Sequence, residues 1–161
     1  MRQRCATYEQ IVAEYPKIFP KDFHFECGPG WITLIDGLCA CIQHHVDWKI
    51  SQAAYAKEPP PDASIQPVAA QVKEKFAGLR FYVDGGDDAT YGMITHAELM
   101  STTICEECGN LGTLRGGNWL RTLCDKHHEE NVARIAAENA KWEERRRLRA
   151  EEEERKRQEV K

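Results

Sequence analysis

No run in this sequence approaches the roughly 18–20 consecutive apolar residues that carry a helix across a bilayer. Positive charge is also scarce where it would count. The 161 residues hold 26 Asp/Glu and 22 Lys/Arg, a net charge of -4. Ten of each sign fall between Glu129 and Lys161, so residues 1–128 hold sixteen acidic and twelve basic side chains and carry the whole excess. A mildly acidic body is a poor match for a phosphate backbone, because non-specific nucleic-acid affinity comes from neutralising phosphates with Lys and Arg. There is no Walker or dinucleotide loop and no Ser or Cys nucleophile motif. The start, Met1-Arg2-Gln3-Arg4, leads into polar residues and not into an apolar signal region. We therefore expect a soluble cytoplasmic protein that is not an enzyme.

What is present begins with enough apolar residues, 42%, to build one core. Cys5, Tyr8, Ile11 and Val12 recur at helical spacing within residues 4–15, and Pro16 ends that helix. Cys27-Gly28-Pro29-Gly30 reads as a turn. The next helix runs from about Trp31 to Lys49, with Trp31, Ile32, Ile35, Leu38, Cys39, Ile42 and Val46 on one face and Asp36, Gln43 and Asp47 off it. Pro59, Pro60, Pro61 and Pro67 mark an extended loop. The period then changes to two. Val68, Ala70 and Val72, then Leu79, Phe81 and Val83, predict a β-hairpin of Val68–Phe76 with Leu79–Val83, turning around Ala77-Gly78. A further helix is expected over Tyr91–Thr103, with Ile94, Ala97, Leu99 and Ile104 partly buried. Asp84, Asp87 and Asp88 lie in a glycine-containing turn that lacks the bidentate Glu of a calcium loop, so turn chemistry accounts for them.

The chemistry lies further on. Cys105-Glu106-Glu107-Cys108-Gly109 is a CxxCG knuckle, and Cys124-Asp125-Lys126-His127 is a second pair, with fifteen residues between Cys108 and Cys124. Zinc takes four tetrahedral S or N ligands at about 2.0–2.3 Å, and two ligands three residues apart can share one ion from a tight turn or a first helical turn. Gly116-Gly117 at the middle of the intervening segment suits a hairpin. Knuckle, hairpin, then two ligands opening a helix is the treble-clef order. The expected ligands are Cys105, Cys108, Cys124 and His127. His127 is preferred to His128 because it keeps the three-residue spacing. Four protein ligands leave no position for water, which argues for one structural Zn²⁺. His24 with Cys27 and Cys41 with His44 repeat the arithmetic, but Cys41 and His44 lie inside the long helix. Cys5, Cys27, Cys39 and Cys41 are expected to remain thiols in a reducing compartment.

From Glu129 onward there is no Pro or Gly. Val132, Ile135, Ala136, Asn139 and Trp142 form a short stripe, and Glu151–Arg155, Glu152–Lys156 and Glu153–Arg157 are favourable four-residue pairs. A long charged helix is expected, serving as a solvated tail or as a dimerising or partner-binding arm. The fold class is thus α+β. N-terminal helices and a hairpin form residues 1–104, the finger occupies 105–128 and the helical tail 129–161.

The strings QVKEKFAGLRFY (Gln71–Tyr82), CEECG (Cys105–Gly109) and WLRTLCDKH (Trp119–His127) resemble a family of short, mostly uncharacterised proteins carried by bacteriophages and prophages. The resemblance also takes in Tyr15–Pro20, Phe25–Gly28 and Gly30-Trp31, so it covers most of residues 15–128. A Gly commonly stands in such relatives where this chain has Ala77. The resemblance implies a phage-related accessory role in a bacterial host cell and supplies no activity. Contact with a host protein, for example as an inhibitor that blocks a defence or nucleic-acid-processing complex, is the expected function. The alternative is a nucleic-acid-binding finger using Arg115, Asn118, Trp119, Arg121 and Lys126, although Trp119, Leu120 and Leu123 are read first as finger core. A metal-dependent nuclease of similar outline needs a histidine base on the hairpin, and residues 109–123 contain none.

Overall fold

The computed structural model describes residues 4–117 and 119–159. Thr7 starts the first helix, α1 (Tyr8–Glu14): its side chain accepts from the Gln10 N–H, while the Gln10 side-chain Oε1 accepts from the Ala6 N–H at 2.6 Å. This reciprocal cap places the helix start later than the apolar spacing suggests. Strand β1 (Phe25–Glu26) follows, and a single 3₁₀ turn over Pro29–Trp31 leads into α2 (Ile32–Ala56). Helix α2 outruns the expected Lys49 because its last turns are exposed and so leave no apolar signature. It stops where Lys57 takes a left-handed conformation, φ 59°, just ahead of the prolines.

Strand β2 (Val68–Lys75) pairs in parallel with β1 and antiparallel with β3 (Gly78–Asp84), giving the order β1-β2-β3. The hairpin forms, with two differences from its expected pattern. Its turn is Phe76-Ala77, one residue early, with φ 53° and 64°. Two left-handed central residues are the mark of the tight turn that matches strand twist. A one-residue slip would rotate Leu79 and Phe81 out of the core. The second difference is a bulge at Ala70, since Ala69 pairs with Val83 but Gln71 with Tyr82. The extra residue shifts the phase, so Ala69 and Val72 are buried while Val68 and Ala70 are exposed.

Helix α3 (Asp88–Ser101) begins at an Asp87 cap whose carboxylate accepts from the Thr90 N–H and Oγ1, earlier than the expected Tyr91. It covers the outer edge of β3. The Leu79 N–H donates to Ser101 Oγ at 2.8 Å and the Phe81 N–H to Glu98 Oε1 at 3.0 Å, so those edge donors are satisfied by the helix. Ile94 and Ala97 are buried as expected, but Leu99 is exposed. The core joins Ile11, Phe19, Phe25, Trp31, Ile35, Leu38, Cys39, Ile42, Val72, Leu79, Phe81 and Ile94. Each large aliphatic side chain in it contributes about 1.5–3 kcal/mol. Asp36 is a correction: it is 1% exposed, because the Tyr15 hydroxyl donates to its carboxylate and its backbone carbonyl, both at 3.1 Å. A satisfied carboxylate can sit inside where the apolar pattern alone puts it outside.

The short antiparallel pair β4 (Thr113–Arg115) and β5 (Arg121–Leu123) follows, then the 35-residue helix α4 (Asp125–Glu159). Met1–Cys124 and Asp125–Lys161 are two compact units. Within α4, Lys156 Nζ lies 2.7 Å from Glu152 and Arg134 pairs with Glu138 at 2.8 Å. Val132, Ile135, Trp142 and Leu148 are exposed. Among the described residues, no helix is long and apolar enough to cross a membrane.

Candidate metal centre

The CxxCG segment closes as a tight turn. The Gly109 N–H donates to the Cys105 carbonyl at 2.9 Å, and the Cys105 N–H donates to the Asn110 carbonyl at 2.7 Å. Gly109 takes φ 76°, the conformation a side chain would resist. Cys108 therefore swings back beside Cys105. The β4–β5 hairpin returns the chain to Cys124, and the first turn of α4 presents His127. One ligand atom from each of Cys105, Cys108, Cys124 and His127 lies within 4.8 Å of all the others. The Sγ atoms of Cys108 and Cys124 are 3.9 Å apart. Two sulfurs bound tetrahedrally at about 2.3 Å stand about 3.8 Å apart. The donor set and its spacing thus fit a zinc-like ion. Although the Asn110 N–H favours its thiolate, the neighbouring Cys105 and Cys124 sulfurs and some desolvation raise the thiol of exposed Cys108. A bound cation would relieve that crowding.

The turn is not free-standing. The Gly30 N–H donates to the Glu106 carbonyl at 2.7 Å, the Gly28 N–H to Glu106 Oε1 at 3.0 Å, and Trp31 Nε1 to the Ile104 carbonyl at 3.0 Å. A Cβ on Gly30 would lie 2.1 Å from the Cys105 carbonyl oxygen, and one on Gly28 would lie 2.4 Å from that of Glu106. Gly28 and Gly30 are therefore site residues that sequence reasoning took only for a turn. The available signal was two glycines around a proline just before a helix. Buried Glu106 also holds Arg121 at 3.0 Å, and Arg121 reaches Glu107 at 2.6 Å. From β5, the Thr122 hydroxyl donates to the Ala77 carbonyl at 2.7 Å, and the Glu106 N–H donates to the Thr122 carbonyl at 3.0 Å. The metal turn, β5 and the β2–β3 turn are hydrogen-bonded in series.

Other expected participants sit elsewhere. Among the described residues, no second metal group forms from His24, Cys27, Cys41 and His44. Cys27 instead packs beside Tyr8, whose hydroxyl is 3.2 Å from its sulfur, and burial pushes the Cys27 thiol up to about 11. Trp119 corrects the expectation of a finger-core residue. It is 72% exposed, its Nε1 donating to Glu74 Oε2 at 3.3 Å, and Leu120 is exposed too. Leu123 and Thr122 fill the interior in their place. Arg115 donates to the Leu123 carbonyl at 3.2 Å. Lys126 stays exposed, and Asn118 lies outside the described residues. No protein-family model, curated protein or solved structure matches this chain.

Proposed function

We propose that this chain is a zinc-stabilised, treble-clef-type binding module that works by contacting another protein. One observation carries the reading. The segment between the two ligand pairs turns large apolar side chains outward, with Leu111 86%, Leu114 62% and Trp119 72% exposed. Exposed apolar groups collected on one small element are the usual mark of a protein-binding surface. Two of the three cations that a nucleic-acid reading needs are engaged within the fold, Arg121 by Glu106 and Glu107 and Arg115 by a backbone carbonyl, which leaves Lys126 alone exposed. A Cys₃His set fills a tetrahedral ion and leaves no site for water, which supports a structural metal and a non-catalytic role. The likeness of Gln71–Tyr82 and Trp119–His127 to phage-borne proteins supports an accessory role in a bacterial host, with a host protein as partner.

The test is co-purification from host lysate with zinc-loaded chain, Leu114→Glu and Trp119→Ala run in parallel, each checked for one zinc per chain by native mass spectrometry. A partner retained by the parent and lost by at least one variant supports the reading. Partners equally retained by both variants, or salt-dependent binding to DNA or RNA in their place, would reverse it.

A further inference from the structure

We propose that the cleft between the β2–β3 turn and the segment entering β5 is the docking site for an acidic stretch of the partner protein, which inserts an aromatic or aliphatic side chain there. This inference rests on the protein-binding reading above and assigns it a place. The cleft has a volume of about 570 Å³ and is lined by Lys73, Glu74, Lys75, Phe76, Trp119 and Leu120.

Three features point to that occupant. The first is apolar surface. Phe76 and Trp119 are each 72% exposed, and large aromatic side chains of this kind, Trp above all, gain most when a partner buries them. The second is strain. A left-handed conformation costs a non-glycine residue roughly 1–2 kcal/mol, and Phe76 and Ala77 adopt it consecutively. The turn is held by the Ala77 N–H donating to Glu74 Oε1 and by Thr122 Oγ1 donating to the Ala77 carbonyl, both at 2.7 Å. Asn or Gly would make this turn with less strain and no exposed ring, so a strained Phe displayed at its tip is a feature of use and not of stability. The third is charge. Among the described residues, Glu74 is the one carboxylate lining the cleft, and its two oxygens are taken by the Ala77 N–H and by Trp119 Nε1. Lys75 Nζ stands 5.3 Å from the Phe76 ring centre and Lys73 Nζ 5.7 Å from that of Tyr82. The cleft therefore offers an apolar floor beside two cations. Two lysines suit carboxylates flanking an apolar anchor. They are too few to follow a nucleic-acid strand, whose affinity rises with each phosphate neutralised.

The zinc-loaded full chain would be panned against a display library of short random peptides. Selected peptides would be measured by calorimetry on the parent chain, on Trp119→Ala and on the Lys73→Glu, Lys75→Glu pair, each with its zinc content verified. The expected result is enrichment of peptides carrying Asp or Glu around a Trp, Phe or Leu, with affinity about tenfold or more weaker on both variants. Enriched peptides without acidic residues, no enrichment at all, or equal affinity on the variants would overturn the proposal. So would oligo-dT binding that the same variants abolish, since it would make the cleft a base-stacking platform. The host partner separates this proposal from the reading beneath it. A partner lost on Leu114→Glu but kept on Trp119→Ala removes the cleft while leaving the protein-binding function standing. Leu114 does not line the cleft.

Discussion

The helix–sheet core and the metal turn lie in the same compact unit but are held by different physics. Around Ile35, Val72 and Leu79 the chain is fixed by side-chain packing, with each of these residues fully buried. Among the described residues between Cys105 and Cys124, only Cys105, Glu106, Thr122 and Leu123 are buried, and most hydrogen bonds leaving this segment have a backbone group at one end or both. A few buried side chains cannot offset the ordering entropy of twenty residues, which is about 1–2 kcal/mol each for the backbone alone. A metal held by Cys105, Cys108, Cys124 and His127 would supply the difference. On the zinc reading proposed above, a small body can display apolar residues that it does not need for folding, because the metal would replace the core that those residues would have formed.

The largest expected effect comes from removing that replacement. Structural zinc in small fingers is worth ~10–16 kcal/mol, so Cys124→Ser, or a strong chelator, should strip the metal and melt the turn and β4–β5. Amide hydrogen exchange would show loss of protection over residues 103–124, with β2, β3 and α2 still protected. Equal loss everywhere would mean that the two regions fold as one cooperative unit. His127→Ala should also lose the metal and His128→Ala should keep it, as metal content per chain would show.

The backbone docking comes next. Gly30→Ala would drive a Cβ to 2.1 Å from the Cys105 carbonyl and 2.6 Å from the Gly109 N, and neither atom is at the end of a flexible side chain. A loss of about 3 kcal/mol is expected in denaturant unfolding, with weakened metal retention. Metal affinity unchanged alongside a destabilised body would show that the turn organises itself without its dock.

A smaller effect tests the body alone. Asp87 caps α3 while His45 Nε2 approaches to 2.9 Å and Lys49 Nζ to 3.1 Å from α2. Desolvation by itself would raise this carboxyl, but His45, the Thr90 N–H and hydroxyl, and Lys49 together hold it well below the usual carboxylate range. A group with a depressed folded pKa stabilises above its unfolded value, near 3.9, and that contribution is lost as pH falls from there toward the folded value. Asp87→Asn keeps a capping side chain and removes the charge. It should cost about 2 kcal/mol at neutral pH, and the gap from the parent should close as pH drops below about 4. A gap that does not change with pH would assign Asp87 a capping role only.

The two regions also differed in how far the sequence disclosed them. The candidate ligand pairs were legible because their chemistry is local: three-residue spacing defines each half, and Gly109 closes the first. The packed helices were legible because burial writes a period into the chain. What stayed hidden depends on partners far away in sequence. Gly28 and Gly30 meet a turn more than seventy residues later, the buried Asp36 needs Tyr15 from just past the end of α1, and a single bulge at Ala70 reverses a strand's alternation. Trp119 was misplaced for a different reason: an aromatic residue beside metal ligands looks the same in sequence whether it faces in or out.

Phe76 gives the smallest effect and the sharpest use of the comparison. If the turn existed for stability, relieving its strain would be harmless. Phe76→Asn places a residue tolerant of left-handed geometry at φ 53° and removes a ring that makes little of the core. Thermal or denaturant unfolding should therefore show a gain of about 1 kcal/mol, with zinc content unchanged. The same variant should lose the acidic-peptide affinity of the cleft. A gain in stability together with a loss of binding is the signature of a residue kept for contact at the expense of the fold. A variant both less stable and fully competent to bind would mean that the Phe76 ring supports the turn, and that the partner surface lies on Leu111 and Leu114.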